Sequence, residues 1–194
     1  GCGVRAGTGA LAGWGDSAPT KGEGGAGTVP GPRHAPFPGV AFARVAAGAD
    51  FACALQRADG RARCWGSNDR GQSTPPSPAP GAPGGPHYVQ LAAGWGHVCA
   101  IRAADRFLDC WGLDGQGQQT NAPGGVPFAQ VSSGGAHSCG LVAGHRRTAR
   151  CWGYNYYDGG SVPAELQDTA FAQLSSGEYH NCAVRARGTG GGTG

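Results

Sequence analysis

The sequence contains no methionine and no apolar run near the ~18 residues that a membrane-crossing helix needs. A chain that opens on Gly1 without Met is expected to be processed or cut from a longer polypeptide, and no membrane insertion is expected within it. Charge is scarce. Only 14% of residues are charged and the formal net charge is +3, too weak a field to argue for nucleic acid or an acidic membrane surface as partner. Catalytic signatures are missing: there is no G-x-S-x-G elbow, no H-E-x-x-H pair and no phosphate loop. The 12 carboxylates are scattered in turns, so no enzyme and no cofactor are expected. The C-x-x-C ligand spacing is absent, which argues against zinc. Asn68, Asn121, Asn155 and Asn181 all lack a Ser or Thr two residues on, which removes N-glycosylation. Helical periodicity and helix caps are absent throughout.

What is present is glycine, proline, cysteine and repetition. With 39 Gly and 14 Pro, the composition is that of a loop-rich all-β chain. The stretch FARVAAGADFACALQRADGRARCWGSNDRGQ at 42–72 returns as YVQLAAGWGHVCAIRAADRFLDCWGLDGQGQ at 88–118. It returns from Phe128 as FAQVSSGGAHSCGLVAGHRRTARCWGYN and from Phe171 as FAQLSSGEYHNCAVRARG. From Cys53 to Cys99, Cys139 and Cys182 the steps are 46, 40 and 43 residues. That period belongs to propeller blades and other stacked repeats. Within a unit, Phe51, Cys53 and Leu55 alternate with small residues, as do His97, Cys99 and Ile101, and His137, Cys139 and Leu141. A period of two means a strand. A polar turn such as Ala58-Asp59-Gly60 leads to a second strand ending in C-W-G, expected from Arg61, Arg106 and Thr148. The preceding F/Y-x-x-V/L-x-x-G segment supplies a third strand, and a fourth, if present, lies in the variable tail.

The pattern V-x-x-G-x-x-H-x-C-x-L followed by C-W-G-x-N-x-x-G-Q resembles the repeats of the regulator-of-chromosome-condensation family. The resemblance is closer to its disulfide-bearing extracellular branch, as in crinkly-type plant receptor kinase ectodomains. It is carried by Val45, Gly48, Cys53, Leu55, Cys64, Trp65, Gly66, Asn68, Gly71 and Gln72 and their counterparts. It implies a β-propeller of about seven four-stranded blades, whose loops bind proteins, peptides or other ligands and mostly lack catalysis. About half such a propeller is present. The expected units are a degraded half-blade with a Gly/Pro-rich linker at 1–41, blades at 42–87, 88–127 and 128–170, and a truncated repeat with a Gly-rich tail at 171–194.

The cysteines indicate the compartment. The two Cys of each unit are 11, 11 and 12 residues apart, which across a tight hairpin places them at facing positions of adjacent strands. The expected bridges are Cys53–Cys64, Cys99–Cys110 and Cys139–Cys151, in a secreted or cell-surface protein. A metal reading of His97 with Cys99, or His137 with Cys139, fails because the first unit keeps both Cys and has Phe51 in place of His. These His residues, with His180, are expected to bond a loop backbone. Cys2 has Gly13 where its partner should be and Cys182 precedes no C-W-G, so neither has a bridge within its own unit. The recurring Trp65, Trp111 and Trp152 are expected to pack between blades, and Gly66, Gly112 and Gly153 to permit the turn that follows.

The remaining candidates lie in loops. Tyr154, Tyr156 and Tyr157 cluster after the third C-W-G, either as anchors for a protein or glycan partner or as packing for the next blade. Trp95 stands where other units have a small residue. The TPPSPAPGAPGGP segment at 74–86 resembles hydroxyproline-glycosylated wall segments, with Pro75, Pro76, Ser77 and Pro78 as candidate modification sites. The G-x-G-x-x-G at 22–27 is followed by prolines rather than a helix and is a coincidence of a Gly-rich loop. HRRTAR at 145–150 reads as a solvated turn, and GTGGGTG at 188–194 as a tail without core-forming residues. The expected function is a non-enzymatic extracellular module for assembly or protein interaction within a larger secreted, wall, appendage or filament protein. A receptor ectodomain or secreted lectin-like binder is the alternative, and a nucleotide-exchange factor is disfavoured by the paired Cys.

Overall fold

A computed structural model describes residues 2–13, 37–77 and 85–186. The Gly-rich motif at 22–27, Pro78 and the tail at 188–194 lie outside them. The strands are β1 (Cys2–Val4), β2 (Leu11–Gly13), β3 (Phe42–Ala47), β4 (Phe51–Gln56), β5 (Ala62–Gly66), β6 (Tyr88–Ala93), β7 (His97–Arg102), β8 (Leu108–Gly112), β9 (Phe128–Ser133), β10 (His137–Val142), β11 (Ala149–Gly153), β12 (Phe171–Ser176) and β13 (Asn181–Arg185). They form antiparallel sheets β1-β2, β3-β4-β5, β6-β7-β8, β9-β10-β11 and β12-β13. The chain is thus all-β, a series of small blades.

In the first two blades the hairpin between second and third strands is set by Asp carboxylates. Asp59 Oδ1 accepts from Arg61 N at 3.0 Å and Asp105 Oδ1 from Phe107 N at 2.9 Å. These Asx turns hold Arg61 and Arg106 in the turn, so pairing begins at Ala62 and Leu108; in the third blade it begins at Ala149, and all three starts are one or two residues later than the sequence pattern suggests. The register then puts Cys53 opposite Cys64, Cys99 opposite Cys110 and Cys139 opposite Cys151. All three pairs are disulfides, with Cα atoms 4.1, 4.1 and 4.0 Å apart.

Among the described residues no fourth strand joins these sheets. The chain after C-W-G is occupied by side-chain-capped turns: Asn68 Oδ1 accepts from Ser73 N, Asp114 Oδ1 from Gln119 N and Asn155 Oδ1 from Gly160 N, at 2.9, 2.7 and 3.0 Å. A single short 3₁₀ turn, Ala164–Leu166, interrupts the later loop. Gly66, Gly112 and Gly153 start the post-strand turn with φ of 108°, 100° and 99°, a region closed to most side chains.

The middle strand of each three-stranded blade is buried on both faces, and each face has a different neighbour. Phe51, Cys53 and Leu55 pack forward with Tyr88, Leu91, Val98, Ala100 and Trp111 of the next sheet. Ala52 and Ala54 face back with Trp65 toward Cys2, Val4 and Leu11. The rule repeats one unit on, where Cys99 and Ile101 pack with Phe128, Val131 and Trp152. Trp111 and Trp152 also cross the junction with their polar ends. Trp111 Nε1–H donates to Gln72 O at 3.0 Å and Trp152 Nε1–H to Gln118 O at 3.1 Å.

First strands are tied by glutamine. Gln90 donates to Val131 O at 3.0 Å and accepts from Val131 N at 3.3 Å; Gln130 does the same with Leu174 at 2.7 and 3.0 Å. The glycine before each second strand marks the closest approach. A Cβ on Gly94 would come 2.6 Å from Gly134 O and would collide with the His97 ring. Gly48 meets Gly94 O and Phe51 in the same way.

Candidate functional site: an aromatic rim

Because the second strand runs antiparallel to both neighbours, its incoming turn and the loop leaving the third strand share one end of each sheet. Phe51 pairs with Gly66, and His97 with Gly112. Backbone bonds link the incoming turns across units: Trp95 N donates to Gly135 O at 2.9 Å and Gly135 N to Glu178 O at 3.1 Å. This rim carries the exposed aromatics. Trp95 is 57% exposed, Tyr156 76%, Tyr157 60% and Tyr179 52%.

The tyrosines form one array. The Tyr154 and Tyr156 rings lie 6.2 Å apart and nearly parallel, Tyr156 and Tyr157 5.0 Å apart edge-on, and Tyr157 and Tyr179 5.3 Å apart edge-on. Tyr156 and Tyr157 are exposed and Tyr154 is half-buried, and Tyr157 meets the next unit at Tyr179. Tyr179 was not among the sequence candidates. Its signal was the one that flagged Trp95: an aromatic in a turn where other units have Asp50, Gly96 or Ala136. Hydrogen bonding to Glu178 raises the Tyr179 phenol above its ordinary range, with the Glu178 charge acting in the same direction. Trp95 carries the Arg70 guanidinium over its ring at 5.4 Å from the centroid. The rim thus presents flat aromatic faces beside the Arg70 guanidinium and the Glu178 carboxylate.

The other sequence candidates lie elsewhere. Pro76 and Ser77 are exposed and Pro75 half-buried; with Arg61, Arg63 and Tyr88 they line a cavity of about 280 Å³ at the opposite end of the sheets. Among the described residues no cluster of three or more His, Cys, Asp or Glu is placed to hold a metal, and no helix is long and apolar enough to cross a membrane.

The histidines differ from the expected loop-backbone bond. His97 Nε2 lies 2.9 Å from Ser138 Oγ and His137 Nε2 lies 3.0 Å from Asn181 Oδ1, so both reach the next unit's second strand. Burial first, and then the proximity of His137, holds His97 down at about 4 from an ordinary 6.5. The ring is neutral in the fold, with Nδ1 unpartnered and Nε2 within hydrogen-bond distance of the Ser138 hydroxyl. A folded value below the unfolded one fixes the sign. The stability from this ring is complete above pH 6.5 and is lost as pH falls toward 4, by up to roughly 3 kcal/mol. His97→Phe, which copies Phe51, is expected to flatten that acid limb in urea unfolding followed across pH; an unchanged limb would assign it to other groups.

The repeated disulfide-clipped sheet, packed face to face through its tryptophan, makes this chain a run of β-propeller blades. Residues 42–72 match the regulator of chromosome condensation (RCC1) repeat. No curated protein matches the chain by sequence. Among solved structures, the chain is similar to the entire ectodomain of the Physcomitrella patens receptor kinase CR4, at 25% identity and a TM-score of 0.72 over 95% of this chain and 46% of that one. It is also similar in fold to the CRINKLY WD40 ectodomain of the Arabidopsis thaliana receptor kinase ACR4, at 22% identity and a TM-score of 0.69 over 95% of this chain and 58% of that one. Saccharomyces cerevisiae Prp20p, whose structure was described with its binding to Gsp1p and histones, gives 18% identity and a TM-score of 0.60 over 76% of this chain and 44% of that one. The chain spans about half the length of these proteins.

Proposed function

We propose that the chain is a non-enzymatic interaction module of a larger extracellular protein, and that it holds a protein partner on the rim formed by Trp95, Tyr154, Tyr156, Tyr157 and Tyr179. The observation that carries this reading is the contiguous exposed tyrosine array. Exposed aromatics placed together on rigid sheet ends are a protein-binding feature, and loops fixed by a scaffold are where recognition concentrates. Three disulfides, one per complete blade, support an oxidising compartment. The likeness to two plant receptor ectodomains supports the same setting. The disulfides count against a nuclear exchange role.

The tandem substitution Tyr156→Ala/Tyr157→Ala is expected to weaken binding to the physiological partner at least about tenfold, the cost of losing hot-spot aromatics. Its Tm should stay unchanged because both rings are exposed. Surface plasmon resonance against secreted candidates from the source organism reads the first quantity and calorimetry the second. Arg146→Ala, in the turn at the other end of the sheets, is the control. Equal affinities for all three proteins would move the site off the rim. A second reading, structural assembly in a wall or filament, is favoured by the exposed Val184 on β13, 59% exposed. Self-association of the isolated chain in sedimentation would support it.

A further inference from the structure

The formal charge of the chain is close to balanced, but the fold separates its signs. At the rim end lie Asp50, Asp69, Asp114, Asp158 and Glu178, with Arg70 beside them. The opposite end, where the second strand turns into the third, carries arginine in every complete blade. Arg57 and Arg61 are in the first turn, Arg102 and Arg106 in the second, Arg146 and Arg147 in the third. Backbone bonds align these turns. Tyr88 N donates to Gly60 O at 2.9 Å, Phe128 N to Arg106 O at 2.8 Å and Phe171 N to Arg147 O at 3.3 Å. Each turn is thereby fastened to the first strand of the next sheet. The arginines stand in a row at intervals of roughly 10 Å, the spacing of packed sheets, so one chain of anions can meet several at once.

Acidic side chains offset only part of this charge. Asp59 pairs with Arg61 at 3.4 Å, and Asp105 and Asp109 both pair with Arg102, at 2.9 and 3.4 Å. Among the described residues Arg106, Arg146, Arg147 and Arg150 have no ion-pair partner, and 143–150 contains no acidic residue. Arg106, Arg146 and Arg150 are exposed and Arg147 is half-buried, its Nε buried without a hydrogen-bond partner.

The backbone gives a second, independent sign. The carbonyl that receives the next first strand belongs in turn to Gly9, Gly60, Arg106 and Arg147. All four residues are left-handed, with φ of 70°, 72°, 67° and 43°. This region favours glycine. The opening hairpin and the first complete blade obey that preference, and the second and third complete blades set an arginine against it. A side chain kept where the backbone disfavours one points to a role outside the fold. Here that side chain is a guanidinium with no acidic partner.

We propose that this arginine face binds a carboxylated polysaccharide, a linear chain with a carboxylate on successive sugars. The guanidinium fork matches a planar carboxylate with two parallel N–H bonds. The proposal takes its extracellular setting from the function proposed above, whereas the arginine face does not depend on the rim. Nucleic acid is the other long polyanion. Single strands are held by stacking bases on aromatic rings, and the exposed rings, Trp95, Tyr156, Tyr157 and Tyr179, are at the far end of the sheets.

The test uses the disulfide-bonded chain and polygalacturonate, with affinity followed across salt by biolayer interferometry. The expected result is binding at about 50 mM salt that weakens at least about tenfold by about 200 mM, as counterion release from a polyanion requires. Arg106→Gly/Arg147→Gly installs the residue that the earlier turns carry. It should keep or raise the Tm, weaken binding at least about tenfold and flatten the salt dependence. Arg70→Ala and Tyr156→Ala/Tyr157→Ala, at the rim, should leave polygalacturonate binding unchanged, so failure of the rim and failure of this face are read separately. No binding at low salt, full affinity in the double glycine variant, or an equal loss in Arg70→Ala would overturn the proposal. Tighter binding of heparin or of duplex DNA than of polygalacturonate would overturn it as well, by moving the recognised group to sulfate or phosphate.

Discussion

Replacing Trp111 by Ala is expected to cost about 3–5 kcal/mol, the range for deleting a large buried aromatic. The size follows from position. Trp111 is 5% exposed and touches a cluster drawn from two blades, with Phe51 and Leu55 on one side and Tyr88 on its own. Truncation opens a void at the junction that neither sheet can close without breaking the glycine approach beside it. It also leaves Gln72 O without its donor, a bond worth about 1 kcal/mol net. Trp111→Phe separates the two contributions, keeping most of the apolar surface and losing only the N–H. The measurement is urea unfolding, with the midpoint and slope reported together. A loss below about 1 kcal/mol for the Ala variant would mean that the blades do not depend on one another through this ring.

Removing the central bridge as Cys99→Ala/Cys110→Ala is expected to cost about 3 kcal/mol, the loop-closure value for a ring of this size. Cys99 has no exposed surface, so the two new methyl groups sit in an apolar setting and the polar cost is small. A blade of three short strands has little core of its own, and the bridge restricts the unfolded chain where packing is thinnest. Cys182→Ser is the matched control, with no bridge to lose and an exposed side chain, and its Tm should not move. Treatment with a thiol reductant should reproduce the double variant's loss three times over. A double variant as stable as the parent would show that face-to-face packing alone holds each hairpin.

Most of the blade was legible in the sequence because repetition turns a weak pattern into a strong one. The alternation of Phe51, Cys53 and Leu55 is brief alone, but three further copies with the Cys in step leave only a strand. The cysteine spacing gave the facing register, since an 11-residue separation across a tight turn admits one alignment. Bonds between blades were not legible. Nothing local says that Gln90 reaches Val131 or that His97 reaches Ser138, because these contacts depend on how far apart successive sheets sit. The rim was half-legible. Tyr154, Tyr156 and Tyr157 are neighbours in sequence, whereas Tyr179 joins them only because the turn before β13 lies beside the loop after β11. The absence of a fourth strand from the described sheets was hidden in the Asn and Asp turns, whose side chains cap the backbone that such a strand would otherwise present.

The histidine position has a consequence for how the molecule comes apart. At the junction between the second and third complete blades the spot is filled by a ring that resents a proton; one junction earlier, Phe51 fills it with a ring that cannot take one. Mild acid should therefore not soften the stack evenly. It should release the later blades first and leave the earlier pair closed, so that a protease added at low pH finds its first cuts on the far side of His97.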